Sequence, residues 1–456
     1  MADPAPAPSP GADDEPTGPT TSTRDEVCEE DLEDAFVEGD RTITPGTARA
    51  AMRHPLFRRV WVGSLLSNVG TWMQNITLGV FAFQLTRSET FVSWVTFAQL
   101  GPMLFLTVLV GGTVADLFDR RKVLLWVAVQ QALLSLVLAF VVAGDEPSKA
   151  ALLGVVLAIG IGQAVNAPTF TAVVPTLVPR EDLPGAVSLQ SVNMNASRVV
   201  GPAIGGIVLS VFGVPAVFVF NAASYLFIIG VLVRVRFPPV ALAPAGTAPE
   251  QGLARVLGGF RVAGRDRVIL RCLLTMAAFS FFCLPFIGQM AALAEENLGI
   301  NGESTAYGLL YASFGLGALL GALSIGTVLS GAPLATVVRI GLAGFAVCLS
   351  AFALLRDPAP AYPVILLLGF CYFAVVTSLS TVLQTRLEDH ERGRVMALWI
   401  MAFGGTVPIG GLVFGPIMEA TSISAVVLFG AFVALSLILL ADVREIDASA
   451  GHPGPK

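Results

Sequence analysis

The sequence predicts an all-α membrane protein of twelve transmembrane helices in two six-helix bundles, and three observations carry that expectation. Of 456 residues, 54% are hydrophobic and only 13% charged, with a mean hydropathy of +0.75, outside the range of soluble globular chains. From Val60 onward, long apolar runs alternate with short polar breaks, the pattern of repeated bilayer crossings. Short motifs also recur at an offset of about 205–208 residues, as a duplicated six-helix unit requires.

Residues 1–50 hold thirteen acids in their first forty positions against the single base Arg24. Rich in Pro, Asp and Glu and without an apolar period, they read as a disordered acidic cytoplasmic tail, with Glu29 to Val37 its most helix-prone stretch. The formal net charge of −6 therefore hides a remainder of +6. The first long apolar run begins only after Arg58 and Arg59, so no cleavable signal peptide is expected.

The spans expected are 60–84, 91–111, 123–143, 150–171, 186–212 and 214–233, then 269–293, 306–329, 334–355, 362–383, 395–418 and 422–441. The bundles are 55–233 and 269–442, the linker is 234–268, and 443–456 is a second disordered tail. One set of loops and flanks carries most of the basic residues, including Arg53, Arg58, Arg59, Arg120, Arg121, Lys122, Arg180 and Arg234. The other set carries only Arg87, Lys149 and Arg356, which places both termini in the cytoplasm of a cell (inner) membrane protein. The linker opens Pro/Ala-rich and then turns basic, suited to an anionic inner leaflet.

The fifth span is the least suited to lipid, because it contains Asn193, Asn195, Arg198 and a Gly201-Pro202 break. At a rise of ~1.5 Å per residue Arg198 falls near the middle of the hydrocarbon, where facing lipid costs at least ~2.5–3.5 kcal/mol. It is expected to face a polar interior, on one helical stripe with Ser191, Asn195 and Pro202. Pro202 removes a backbone donor, while Gly201, Gly205 and Gly206 let a neighbouring helix approach closely.

The repeat pairs Val178-Pro-Arg-Glu-Asp-Leu-Pro-Gly185 with Leu387-Glu-Asp-His-Glu-Arg-Gly393, and Val200-Gly-Pro-Ala-Ile-Gly-Gly206 with Thr406-Val-Pro-Ile-Gly-Gly411. A weaker echo pairs Gly112-Thr-Val-Ala-Asp116 with Gly326-Thr-Val-Leu-Ser330.

Gly112-Thr-Val-Ala-Asp-Leu-Phe-Asp-Arg-Arg-Lys122 resembles the loop signature of the major facilitator superfamily, and Gly201-Pro202-x-x-Gly205-Gly206 resembles its antiporter motif. Asn68-Val-Gly-Thr-Trp-Met-Gln74 and Arg392-Gly-Arg-Val-Met-Ala397 are similar to the branch of enterobactin exporters, transmembrane secretion effectors and drug-efflux carriers. Leu117 and Asp119 depart from the loop signature, and Ser330 replaces the acid in its second copy. The resemblance covers about residues 55–442 and implies the major facilitator fold, alternating access and a cavity lined by spans 1, 4, 7 and 10.

Within that frame Gly112, Asp116, Asp119, Arg120 and Arg121 form a gating loop. Asn68, Trp72 and Asn75 share a face of span 1; Gln163, Asn166 and Phe170 do so on span 4. Asn195, Arg198, Phe282, Phe286, Gln289, Tyr372 and Trp399 complete the expected pathway. Mixed aromatic and uncharged polar walls suit an amphipathic ligand, and Arg198 attracts an anionic oxygen.

Five cysteines without paired spacing and three histidines give neither a disulfide framework nor a metal site, and no cofactor is expected. There is no Walker-type phosphate loop and no nucleophile elbow, so neither an ATP-driven pump nor an enzyme is expected. The expected partners are a small molecule and the lipid bilayer, with no nucleic acid; protons as coupling ion follow from the resemblance alone. A monomer is the expected state. Two alternatives remain: an importer or facilitator of the same fold, and a non-transporting receptor or secretion-accessory protein.

Overall fold

The computed structural model describes residues 44–106, 119–235, 237 and 253–440. It is helical from end to end of these segments. A short α1 (Ala48–Arg53) leads into α2 (Pro55–Thr86), α3 (Glu89–Leu106), α4 (Arg120–Val142), α5 (Lys149–Leu177), α6 (Leu183–Phe212) and α7 (Val214–Arg234). After the linker come α8 (Leu253–Arg265), α9 (Arg267–Ala278), α10 (Met290–Leu298), α11 (Thr305–Gly326) and α12 (Leu334–Leu354). The chain ends in α13 (Pro358–Arg386), α14 (Asp389–Ile400), α15 (Thr406–Ala420) and α16 (Ile423–Leu440).

Among the described residues nine helical segments are long and apolar enough to cross a membrane, and Ile423–Leu439 is a shorter apolar helix. The first two expected spans are also helices, α2 and α3. α2 carries Ser64, Ser67, Asn68, Thr71, Gln74, Asn75 and Thr77, so its polar face lowers its hydropathy. The helices run on past the expected ends: α2 has 32 residues, about 48 Å at the helical rise.

Local chemistry explains the boundaries. Asp119 caps α4, its carboxylate accepting from the backbone N–H groups of Arg121 at 2.9 Å and Lys122 at 3.4 Å. Ser148 caps α5 and Ser304 caps α11 in the same way. Gly213, at φ 78°, turns α6 into α7, where the left-handed backbone favours glycine. The expected span 269–293 is broken: α9 ends in a π-turn over Phe279–Cys283, then a 3₁₀ turn at Pro285–Ile287, before α10 begins. Pro285 has no N–H to continue the ladder. The expected span 395–418 likewise contains a π-turn, Met401–Gly405, between α14 and α15.

The second half of the linker is helical, as α8. α8 packs on α14 through Val256, Gly259, Val262 and Ala263.

The helices before residue 235 pack on one another, with α2 against α6 and α7, α4 against α7, and α5 against α3 and α4. Those after 253 do likewise, α11 and α12 against α13, and α12 against α16. Between the two sets, α6 packs on α11 and α3 on α15. The two segments of the repeat, Val200–Gly206 and Thr406–Gly411, both lie against neighbouring helices. Gly201 faces Trp72 and Val69 of α2, while Gly206 faces Gly308 of α11. Gly410 faces Phe281, and Gly415 faces Ser93 and Glu89 of α3.

Candidate functional site

Three groups of polar side chains link these helices. The first closes one end. The turn between α2 and α3 meets the helix ends of the second set, and two carboxylates of that set collect its donors. Glu295 accepts from the Arg87 guanidinium and from Gln84 Nε2 at 3.4 Å. Glu419 accepts from Ser88 Oγ at 2.9 Å and from the Thr90 N–H at 3.4 Å. Gln289 Nε2 donates to the Glu89 carbonyl at 2.8 Å and to Ser93 Oγ at 3.0 Å. The Ser210 and Thr305 hydroxyls pair at 2.9 Å. Arg87 holds the turn as the only non-glycine residue of positive φ among the described residues, at 49°.

Glu296 stands beside this cluster. Burial, then the charge of Glu89, raises its carboxyl above the usual range, with Arg87 opposing and Glu295 adding.

The second group lies about midway along α6. The Arg198 guanidinium sits 5.2 Å from the ring centroid of Trp72 on α2 and 4.6 Å from that of Phe373 on α13, so it is stacked between residues of both helix sets. Each such contact contributes ~0.5–2 kcal/mol. Its Nη1 is buried without a hydrogen-bond partner, and Arg198 forms no ion pair with any described carboxylate. Tyr311 and Tyr372 are close enough to interact with it electrostatically. Tyr372 lies nearly parallel to Phe314 and Phe403, with centroids 6.0 and 6.5 Å away. Gly315 brings α11 against the Arg198 carbonyl, and a Cβ there would lie 2.6 Å from that oxygen.

The third group is uncharged and lies wholly in the first helix set. Asn68, Gln131, Gln163, Asn166, Phe170 and Tyr225 line one cavity. Its free volume of about 40 Å³ has room for water, against the ~300 Å³ or more of a drug-sized site. Asn193, fully buried, accepts from Asn68 Nδ2 at 2.8 Å and donates to the Trp61 carbonyl at 3.1 Å. Tyr225 pairs with Thr71 at 2.8 Å. Deeper, Gln74 Oε1 accepts from Ser135 at 2.9 Å and from Asn221 at 2.8 Å.

The structure therefore gathers Asn68, Gln163 and Asn166 in one cavity, and Trp72, Arg198 and Tyr372 in one cluster. Of the other expected pathway residues, Phe286 adjoins this cluster, packing edge-on to the same Phe314 on which Tyr372 stacks. Asn75 accepts from Gln99, and Asn195 donates back to Ser191 of its own helix. Gln289 and Phe286 are each 2% exposed, bound in the closed end and in an aromatic core respectively. Phe282 packs among Phe281, Phe414 and Phe429, and Trp399 is buried.

In the expected gating loop Gly112 and Asp116 lie outside the described residues. Asp119 is a helix cap, Arg120 donates to the Ala172 carbonyl at 2.9 Å, and Arg121 donates to the carbonyls of Leu232 and Val233 at 2.6 and 2.8 Å. Sequence reasoning missed Asn193, Tyr225 and Tyr311. Asn193 stands two residues before Asn195, off the stripe that Ser191, Asn195, Arg198 and Pro202 share.

No group of three or more metal-ligating side chains occurs among the described residues.

The family described as "Transmembrane secretion effector" matches residues 46–453. Among curated relatives, the enterobactin exporter of Shigella boydii serotype 4 is 27% identical over 407 residues, covering 86% of this chain and 93% of that one. That of Citrobacter koseri is 28% identical over 409 residues, with the same coverage. Among solved structures, a nucleoside transporter superposes with a TM-score of 0.68 at 17% identity, covering 86% of this chain and 99% of that one. A bacterial homologue of the iron transporter ferroportin, in an inward-facing state, gives 0.64 at 17% identity, covering 87% and 99%. At such identity these two show the fold alone. A multi-pass helical body with that fold, matched by this profile over most of its length, is a membrane transporter and not an enzyme: the chain belongs to the transmembrane secretion effector family of the major facilitator superfamily.

Proposed function

We propose that the protein is a secondary active exporter of a small amphipathic molecule, a siderophore, drug or metabolite, working by alternating access. The observation that carries this is Arg198. A guanidinium held between Trp72 and Phe373, one from each helix set, with Nη1 unpartnered, offers an oxyanion a strong charge-assisted partner. It does so where both sets can sense the ligand. Aromatic rings around it suit an apolar ligand body. The curated relatives export enterobactin by their names, which supports the outward direction.

In this reading twelve spans form two six-helix halves in the cytoplasmic membrane, with both termini inside. The end closed by Glu295 and Glu419 is the outer one, and the substrate pathway through Asn68, Trp72, Gln163, Asn166, Arg198 and Tyr372 opens inward. Proton antiport is the coupling we assign, supported by the Gly201-Pro202 motif. The titratable partner lies nearer the helix ends than the centre, since the described carboxylates of the second set that touch the first, Glu295 and Glu419, stand at the closed end.

The test is untargeted mass spectrometry of cells and medium from the native strain, a deletion, and a deletion complemented with Arg198→Ala. Export predicts metabolites trapped inside the deletion cells and depleted outside, without rescue by the variant. Compounds left in the medium and missing inside would make the protein an importer. An unchanged metabolite profile together with a lost phenotype on removing residues 1–50 would make it an accessory protein.

A further inference from the structure

We propose that α8 is an anionic-lipid docking helix, its Leu257 and Phe260 seated at the acyl boundary and Arg261, Arg265 and Arg267 bound to phospholipid phosphates. This goes beyond the carrier reading, because it concerns the outer surface of the protein and no substrate.

Two faces of α8 are apolar, and only one is used by the fold. The inner face carries Val256, Val262 and Ala263, at most 7% exposed. It lies so close to α14 that a Cβ on Gly259 would come 2.7 Å from the Arg394 carbonyl oxygen. The outer face carries Leu257 and Phe260, which remain 48% and 57% exposed. At 100° per residue these two fall side by side, with Arg261 and Arg265 next along the same outer arc.

The charges make the occupant a lipid surface. Arg261, Arg265 and Arg267 are all exposed, and none forms a hydrogen bond or ion pair with the described residues. Other basic side chains near this end are consumed by the fold: Arg121 by the carbonyls of α7, and Arg386 by Asp266 at 3.5 Å. Asp266, which follows α8 directly, is withdrawn as the cap of α9, its Oδ1 accepting from the Val268 N–H at 2.7 Å. Three exposed guanidiniums and two exposed apolar side chains on one outer arc form the arrangement of a helix lying in the headgroup layer. α8 also leads directly into α9 and rests on α14, so a lipid held there bears on two helices of the second set.

The experiment is hydrogen–deuterium exchange on the full chain in nanodiscs of phosphatidylcholine alone or with phosphatidylglycerol. Exchange in residues 253–265 is expected to be several-fold slower with the anionic lipid. That difference should shrink in high salt and vanish in Arg261→Gln/Arg265→Gln/Arg267→Gln, whose side chains make no internal contact that folding needs. Leu257→Ser/Phe260→Ser should raise exchange in both lipids. Equal exchange in the two lipids, or a difference that persists in the arginine variant, would overturn the proposal. So would protection that appears only with two copies per nanodisc, which would assign the face to a second chain. Transport is not read, so a failed export assignment would leave this result standing.

Discussion

Replacing Glu295 by glutamine should release the closed end by a predictable amount. Glu295 is 13% exposed at its side chain but Arg87 is 64% exposed, so water discounts the ion pair to ~0.2–1 kcal/mol. The 3.4 Å bond from Gln84 adds a further weak contact across the two helix sets. Glutamine keeps one acceptor oxygen and turns an N–H₂ toward other donors, so the loss is about 1–2 kcal/mol, or a fall of about 5–30-fold in the closed-to-open ratio. Glu419→Gln acts on separate donors, Ser88 and Thr90, so its effect should add, to tens of fold or more in the double variant. Double electron–electron resonance between spin labels at Glu146→Cys and Ala359→Cys, both exposed and one in each helix set, reads the end directly. A single short distance is expected in the parent and a second, longer population in the double variant. A double variant whose distribution matches the parent would show that these carboxylates do not hold the end shut.

Four other outcomes follow from the same contacts. Because burial and Glu89 raise the Glu296 carboxyl in the closed end, protonation favours closure, so the short-distance fraction should fall as pH rises through and above the ordinary carboxylate range; Glu296→Gln should show no such fall, and an equally steep one would remove Glu296 from the effect. Gly308→Val places a Cβ 2.6 Å from Gly206 Cα and 2.7 Å from the Pro202 carbonyl; overpacking of ~1–3 kcal/mol should lower the thermal midpoint, which Ala at the open Gly326 should not. Gln74→Leu strips the shared acceptor from Ser135 and Asn221 and should cost ~1–3 kcal/mol, measured by denaturation in detergent. Cys348 and Cys371 lie on α12 and α13, which pack on one another; copper-phenanthroline oxidation should join them with loss of two hydrogens, seen by intact mass, and their failure to cross-link would refute their proximity.

The helices were legible because lipid imposes a one-dimensional rule. Every backbone group must be paired within a span, so a run of some twenty apolar residues has few other fates. What interrupts a span was less legible. The breaks at Phe279–Cys283 and Met401–Gly405 are single π-turns in sequences that remain apolar throughout, and hydropathy does not distinguish one helical hydrogen-bond spacing from another. The helix inside the linker was hidden for a different reason. The Pro/Ala-rich opening carries no helical period, α8 begins only at Leu253, and glycines at 258, 259 and 264 weaken its helix propensity.

The site divides along the same line. Arg198 stood out because an arginine inside a span carries its own energetic argument, and that argument needs no knowledge of neighbours. Tyr311 carries no such cost: a tyrosine in lipid is ordinary, and its interest comes from lying near a guanidinium on another helix. Glu295 shows the limit most plainly. Read alone it is an acid near a helix end, one of several. It ties the two helix sets together only because a turn 208 residues earlier in the chain presents Arg87 to it, and that pairing depends on how two sets of helices meet. Features whose cost is local are visible in a sequence; features whose meaning is relational become visible only once the chain is folded.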